Sequence, residues 1–336
     1  MRKVVLAKRP NIDPRPDDFE IVDAGMPEPK DGQLLVKVLW QSIDPYVRLT
    51  FDDPTIAGAP GMALGEMPLG RAVSQVVTSR HPDFAAGDII EGRTHWGEYA
   101  VVDPAVRPTK LDFGEIPLSY AVGALGMPGQ TAYAGVDKVL NVQAGQTMLV
   151  SAAAGAVGTL AGQIAKHRGA RVVGIAGGPD KCAEVEKLGF DACVDYKAAD
   201  FSDRLAAALP GGFNAYFENV GGDMSRIAFQ NASYGAKVAL CGVLSVYAVG
   251  NETGPDRLPE VMRLLFTKGL TIQSFFGELL GGADATVAMR KLIEAGAITP
   301  RESIIEGIEN LPAAFSGIFR GNDHVGKVVL HIADPD

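Results

Sequence analysis

The chain has 336 residues, with 31 basic against 40 acidic side chains, a formal net charge of −9, and 21% charged and 47% hydrophobic residues. That is the balance of a globular chain rather than a disordered or fibrous one. The acidic excess argues against broad nucleic-acid binding, which needs a basic footprint, and at roughly 150 residues per domain the length suggests two domains.

The cysteines, Cys182, Cys193 and Cys241, form no close pair in sequence, which excludes a disulfide framework and a Cys-based zinc site and suits a reducing cytosol. The N-terminus, Met1-Arg2-Lys3-Val4-Val5-Leu6-Ala7-Lys8, has no apolar stretch long enough for a signal peptide, so none is expected. Short apolar or alternating runs at Lys3–Leu6, Leu34–Leu39, Ala72–Val77, Asp88–Glu91 and Tyr99–Val102 predict strands. Gly/Pro/Asp clusters such as Asp52-Asp53-Pro54 and Ala57-Gly58-Ala59-Pro60-Gly61 separate them. No helical period spans this first part, so a β-rich domain is expected.

From about residue 120 the texture changes. Strands are predicted at Met148–Ser151, Arg171–Ile175, Ala192–Asp195, Ala215–Glu218, Lys237–Leu240 and Leu270–Phe275. Amphipathic helices fall between them at Val157–His167, Asp180–Leu188, Asp200–Leu209, Met224–Gln230 and Leu258–Lys268. Alternation of this kind predicts an α/β domain with a doubly wound, parallel six-stranded Rossmann sheet. A further helix near Ala283–Ala295 and a strand at Lys327–Ile332 follow, and the tail is expected to return to the β-rich domain. Residues 139–165 carry no formal charge. Asn141, Gln143, Gln146 and Gln163 interrupt them, however, and a span needs about 20 predominantly apolar residues, so a buried strand running into a helix is expected and no membrane partner.

The sharpest motif follows the first strand of this sheet: Ala152-Ala153-Ala154-Gly155-Ala156-Val157-Gly158 matches G-x-G-x-x-G with Ala153, Gly155 and Gly158 at its three small positions. Small residues let the backbone approach a pyrophosphate, and the helix N-terminus, opening at Ala156 and Val157, offers it unpaired amides. Glycine is common here and tight packing alone can demand it, but the strand-turn-helix context points to dinucleotide binding. The second strand ends in Ala176-Gly177-Gly178 with no carboxylate before Asp180, whereas an NAD site usually has an acid there for the ribose 2′-hydroxyl. Lys181 follows, and its ammonium can pair with a 2′-phosphate, so NADP(H) is the expected cofactor. The structural alternative makes Asp180 a helix N-cap and Lys181 a solvated surface residue. The histidines at 81, 95, 167, 324 and 331 are scattered rather than spaced as ligands, so no metal site is expected. No G-x-S-x-G nucleophile elbow occurs, and Cys182 and Cys193 read as packing residues.

These residues carry a resemblance. The chain resembles the zinc-independent medium-chain dehydrogenases/reductases. Among them it is most similar to the prostaglandin reductase/leukotriene B4 12-hydroxydehydrogenase group, which includes bacterial curcumin reductases and plant double-bond reductases. The matching stretches are Ser42-Ile43-Asp44-Pro45-Tyr46-Val47-Arg48, Gly126-Met127-Pro128-Gly129-Gln130-Thr131-Ala132-Tyr133, the phosphate turn, Leu188-Gly189-Phe190-Asp191, Tyr196-Lys197, Tyr216-Phe217-Glu218-Asn219-Val220-Gly221-Gly222, and Phe319-Arg320-Gly321-Asn322 with Gly326-Lys327. Gly70-Arg71-Ala72 stands where zinc-dependent relatives carry Gly-His-Glu.

The resemblance implies a GroES-like fold for the β-rich substrate domain, residues 1–120 and 296–336, and an NADP-binding domain at 121–295. It implies that Lys181 and Tyr196 contact the 2′-phosphate and that Asn219, Cys241, Gly242, Tyr247, Phe275 and Asn322 line the cofactor cleft. Met127, Thr131 and Gly177 are placed with them. Phe276-Gly277-Glu278 replaces a usual apolar, β-branched segment, and Tyr247 lacks the Asn that commonly follows it, so the substrate's side of the site departs from the group.

The implied activity is hydride transfer to the β-carbon of a small enone or enal, with a phenol stabilising the enolate: Tyr247 first, Tyr46 second. A secondary alcohol dehydrogenase and a non-catalytic NADP sensor remain alternatives. A cytoplasmic homodimer is the expected setting.

Overall fold

The computed structural model describes residues 1–52, 61–247, 257–321 and 324–336; the turn cluster at 57–60 and Asn322 lie outside them. The chain divides into two compact units, Met1–Gly123 with Ser303–Asn322 and Val328–Asp336, and Ala124–Glu302 with Asp323–Lys327.

The first unit is β-rich. Its strands are β1 (Arg2–Leu6), β2 (Phe19–Asp23), β3 (Leu34–Ser42), β4 (Leu69–Ser79), β5 (Ile89–His95), β6 (Tyr99–Val102) and β7 (Thr109–Lys110). β1 and β2 form an antiparallel ribbon. β3 is buried along most of its length and takes β4 on one side; on the other, β6 pairs with its first half, Leu34–Lys37. Aromatic rings fill the space beside this sheet. Trp96 is fully buried, with Phe315 at 5.2 Å and Phe19 at 5.7 Å between ring centroids. Rings of this size supply much of the burial a small domain needs.

The second unit opens with α1 (Met127–Ala134), which carries Pro128 in its first turn, where the missing N–H has no intrahelical partner to lose. It continues β8 (Thr147–Val150), α2 (Ala156–His167), β9 (Arg171–Ala176), α3 (Pro179–Lys187), β10 (Ala192–Asp195), α4 (Phe201–Ala208), β11 (Phe213–Glu218), α5 (Gly222–Gln230), β12 (Ala232–Leu240), α6 (Leu244–Tyr247), α7 (Leu258–Lys268), β13 (Thr271–Ser274), α8 (Gly277–Leu280) and α9 (Gly282–Glu294). All six strands are parallel, in the order β10-β9-β8-β11-β12-β13. This is the Rossmann order, in which the sheet grows outward from β8 in one direction and then, from β11, in the other. Leu149, Val173, Ile175, Val194, Tyr216 and Val238 form the buried face on which the helices pack. The charge-free segment becomes β8 and the twelve-residue α2. Among the described residues no helix is long and apolar enough to cross a membrane.

The unit runs on to Glu302 because Thr299 exchanges two hydrogen bonds with Gln163 of α2, its N–H donating at 2.8 Å and its carbonyl accepting at 3.2 Å. β14 (Glu302–Glu306), α10 (Leu311–Arg320) and β15 (Lys327–His331) close the chain. β15 lies antiparallel on the second half of β3, Val329 opposite Ser42, so the tail returns to the first sheet.

Candidate active site

Ligands of doubly wound sheets bind at the carboxyl ends of the strands, where the strand order reverses. Here that point lies between β8 and β11. After β8 the chain turns tightly. Ala152 takes φ 46°, and its carbonyl accepts the Gly155 N–H at 2.9 Å. Gly155 caps α2 without a side-chain hydrogen bond, so the first-turn amides of Ala156, Val157 and Gly158 face outward from the helix end. A Cβ at Gly158 would lie 2.3 Å from the Ala152 carbonyl oxygen and 2.9 Å from Ala153 Cα. Only glycine lets the helix approach the turn this closely. Ala153 is buried behind it. The residues present therefore fit a pyrophosphate, with the outward amides as donors.

β9 ends at Ala176, and Gly177 lies under Tyr196: a Cβ there would come within 2.8 Å of the ring and 3.1 Å of Lys197 Cε. Gly177, Tyr196, Lys197 and Lys181, in the first turns of α3, thus share the ends of β9 and β10. An acid does reach this edge from the neighbouring strand. Asp195 accepts the Gly178 N–H at 2.7 Å and the Lys197 N–H at 2.9 Å, which commits one of its oxygens to the turn. The N-cap of α3 is Gly178, at φ 98°, rather than Asp180, which stands exposed in the first turn. Cys182 and Cys193 are hydrogen-bonded to one another, and burial pushes both thiols up, as suits packing residues.

On the other side of the reversal point, Asn219 donates to Ser151 twice, from its N–H to Oγ at 2.8 Å and from Nδ2 to the carbonyl at 2.7 Å. The backbone N–H groups of Cys241 and Gly242 donate to the Glu218 carbonyl at 2.9 and 3.2 Å. Burial, followed by the negative charge of Glu218, pushes the Cys241 thiol up to about 12. Tyr247, in α6, has its hydroxyl folded back towards Gly242, 3.5 Å from where a Cβ would stand. Burial raises its phenol above the ordinary value; the Val243 N–H, hydrogen-bonded to it, acts the other way. These residues and the phosphate turn belong to one strand-end surface. Phe275 follows β13 and packs edge-on to Phe217 at 6.1 Å. Thr131 is buried on α1 and presses on the Gly277 backbone, while Met127 opens that helix, half-buried.

Tyr46 belongs to the first unit, on a 3-10 turn after β3 (Pro45–Thr50), half-buried against the aromatic core. Burial, then the charge of Asp44, raises its phenol, with Arg71 and Arg93 opposing. Arg71 pairs with Glu91 at 2.6 Å. Among the described residues no group of three or more His, Cys, Asp or Glu side chains is placed to hold a metal ion.

Residue-type reasoning assigned no role to Glu218. It is 1% exposed, and its carboxylate accepts from Ser151 Oγ at 2.7 Å, Val220 N–H at 2.6 Å, Gly221 N–H at 3.1 Å, Ser225 Oγ at 2.6 Å and the Tyr216 hydroxyl. Burial, then the charge of Glu218, raises the Tyr216 phenol well above its usual value and keeps it a donor. A charged residue directly after the apolar run Ala215–Phe217 is the sequence signal that marks it.

A six-stranded parallel sheet in this order, a small-residue phosphate turn and a β-rich companion unit are the architecture of dinucleotide-dependent dehydrogenases and reductases. Comparison with known proteins agrees. The family described as "N-terminal domain of oxidoreductase" matches residues 2–108, and "Zinc-binding dehydrogenase" matches residues 156–294. The chain is 37% identical to the NADPH-dependent curcumin reductase of Escherichia coli, covering 100% of this chain and 98% of that protein. It is 34% identical to the NADP(+)-dependent 2-alkenal reductase of Nicotiana tabacum, covering 99% and 97%. The crystal structure of CurA from Vibrio vulnificus in complex with NADPH superposes with a TM-score of 0.90 at 37% identity, covering 100% of both chains. The chain belongs to the zinc-independent medium-chain dehydrogenase/reductase family, in its prostaglandin reductase and curcumin reductase group.

Proposed function

We propose that this chain is an NADPH-dependent reductase of the carbon–carbon double bond of α,β-unsaturated ketones and aldehydes. The observation that carries the reading is the acid-free end of β9, with Lys181 and Tyr196 beside it, in a chain that matches NADPH-dependent reductases end to end. NADP(H) is held by the residue 121–295 domain, and substrate by residues 1–120 with 296–336; the two compact units support that division. The amides of Ala156, Val157 and Gly158 take the pyrophosphate, and Lys181 and Tyr196 the 2′-phosphate. Asn219, Cys241, Gly242 and Phe275 wall the nicotinamide's side, with Met127, Thr131 and Gly177 as supports. Asn322 is carried over from the family pattern.

Bound NADPH supplies the hydride that reaches the substrate's β-carbon. The charge that develops on the carbonyl oxygen needs a donor aimed at it. Tyr247 is that donor, because its raised phenol keeps its proton at neutral pH and its place at the sheet's carboxyl edge is where ligands sit. Tyr46 is the second phenol with the same chemistry. Water supplies the proton at the α-carbon, which completes the saturated carbonyl product and leaves NADP⁺.

The test is NADPH oxidation with a simple enone and with its saturated ketone. Turnover with the enone alone is expected; consumption of the ketone would indicate the alcohol dehydrogenase, and binding without turnover a sensor. Tyr247→Phe should lower kcat and kcat/KM together by about 10- to 100-fold, with NADPH affinity within about twofold. A raised phenol remains a donor below its folded pKa and is lost above it, so the alkaline limb should lie above pH ~10. A Phe variant at the wild-type rate would move the donor's role to Tyr46.

The cytoplasmic homodimer belongs to this reading, and the three free cysteines fit that compartment. β13 is an outer strand of its sheet with all four residues exposed, and Phe266, Ile272, Phe276 and Leu279 expose apolar surface around it. Among the described residues no strand covers this edge, and an edge of this kind is a template on which a second copy can pair. Ile272→Asp should yield a monomer by light scattering; a wild-type monomer would end the proposal.

A further inference from the structure

We propose that Glu218 is a positioning residue for Tyr247: its carboxylate fixes the Asn219–Gly221 turn, and α6 hangs from that turn. Three observations meet here. One carboxylate oxygen, Oε1, accepts both Val220 N–H at 2.6 Å and Gly221 N–H at 3.1 Å, so it sets the backbone direction of the turn. The same oxygen accepts Ser151 Oγ, and Ser151 Oγ accepts the Asn219 N–H, so the turn is tied to the end of β8 across the reversal point. The turn's own carbonyls then carry the next segment. Leu244 N–H donates to Asn219 at 3.2 Å, and Ser245 donates to Val220 from its N–H at 2.9 Å and its Oγ at 2.7 Å. Tyr247 lies two residues beyond this last attachment.

The described part of α6, Leu244–Tyr247, is tied to the turn by these three bonds, and the turn in its own right by the two N–H groups that Glu218 accepts. Burying a carboxylate costs several kcal/mol unless donors surround it, and here five do. The second oxygen, Oε2, takes Tyr216 and Ser225, which anchor the group to β11 and α5. The carboxylate touches no residue proposed to contact the substrate; it acts through the turn.

The kinetic consequence rests on the reading of Tyr247 as the enolate's donor, but the positioning itself does not. The first measurement is therefore independent of turnover. The protein is labelled with 3-fluorotyrosine, and the Tyr247 resonance is assigned by its loss in Tyr247→Phe. Glu218→Asp draws the carboxylate back by one methylene and should shift or broaden that line. Glu218→Gln keeps an oxygen on the turn, while its amide donates to the hydroxyls of Tyr216 and Ser225, and should restore it. The second measurement is kinetic. Glu218→Asp should lower kcat on an enone by about 10- to 100-fold with NADPH affinity within about threefold, Glu218→Gln should stay within about threefold of wild type, and Glu218→Asp should add less than twofold in the Tyr247→Phe background.

An unmoved fluorine line in folded Glu218→Asp overturns the proposal. So does a full additional loss in the Tyr247→Phe background. If Tyr247→Phe retains the wild-type rate, the donor reading fails by itself, and the fluorine line still decides whether Glu218 positions the ring.

Discussion

Replacing Gly177 with Asp should shift cofactor choice from NADPH towards NADH. The backbone accepts a side chain there, since Gly177 does not occupy the left-handed region, and a new Cβ would meet the ring of Tyr196 at 2.8 Å and Lys197 Cε at 3.1 Å. Both obstacles are ends of side chains that can move, so the cost to folding is small. The electrostatic cost falls on the 2′-phosphate. A carboxylate about 5 Å from it is repelled by roughly 0.8 kcal/mol per unit phosphate charge at the dielectric constant of water and about 3.3 kcal/mol at an effective value near 20. That is about 4- to 250-fold in affinity per charge, before counting the displacement of Tyr196. NADH carries no such phosphate, and its 2′-hydroxyl gains an acceptor worth about 0.5–1.5 kcal/mol. Initial rates with each cofactor at saturating enone, followed by the loss of reduced-nicotinamide absorbance, give the ratio of kcat/KM values. A ratio that moves by less than about threefold would refute the placement of the 2′-phosphate at the end of β9.

Two further outcomes follow from contacts in the second unit. Gly158→Ala drives a methyl into backbone atoms of Ala152 and Ala153 that cannot swing aside, an overpacking of about 1–3 kcal/mol. The NADPH dissociation constant should rise accordingly, and the thermal midpoint should fall by several degrees; unchanged NADPH titration and melting curves would contradict the tight turn. Asp191 concerns acid stability. Burial pushes its carboxyl up, but the Val172 N–H at 2.7 Å and Lys166 at 2.9 Å outweigh that and leave it lowered. A lowered carboxyl stabilises the fold above its unfolded pKa, near 4, and loses that contribution as pH falls through the folded value. Asp191→Asn should therefore cost about 1 kcal/mol at pH 7, modest because about a third of the carboxylate faces water. The gap in urea midpoint between variant and wild type should close as pH drops from 5 towards 3; a constant gap would refute it.

The parallel sheet was legible because its strands are short apolar runs between helical patterns. The bounds at Ala192–Asp195 and Leu258–Lys268 agree with the sequence pattern to the residue. Leu311–Arg320 and Phe19–Asp23 were not. The helix interrupts its apolar face with Pro312, Ser316 and Gly317, and its burial comes from partners such as Phe19 and Trp96, far away in sequence. The strand alternates Glu20 and Asp23 with apolar residues over only five positions and pairs with β1 alone. At the site, the phosphate turn announces itself because its demand for small residues is local. The Glu218 network does not, because its partner Ser151 lies 67 residues earlier and a hydroxyl is silent about what it will meet.

The seven-stranded sheet has a property that bears on synthesis. β15 occupies an interior place between β14 and β3, although it follows β3 by nearly 300 residues in the sequence. Until the ribosome releases residues 327–331, the Trp40–Ser42 half of β3 lacks the partner that will cover it. The parallel sheet, by contrast, has all its strands by Ser274. A chain emerging N-terminus first therefore completes the parallel sheet before the seven-stranded one. The early strand must wait through nearly 300 residues of translation with an unsatisfied edge, the stage at which such edges are prone to mispairing.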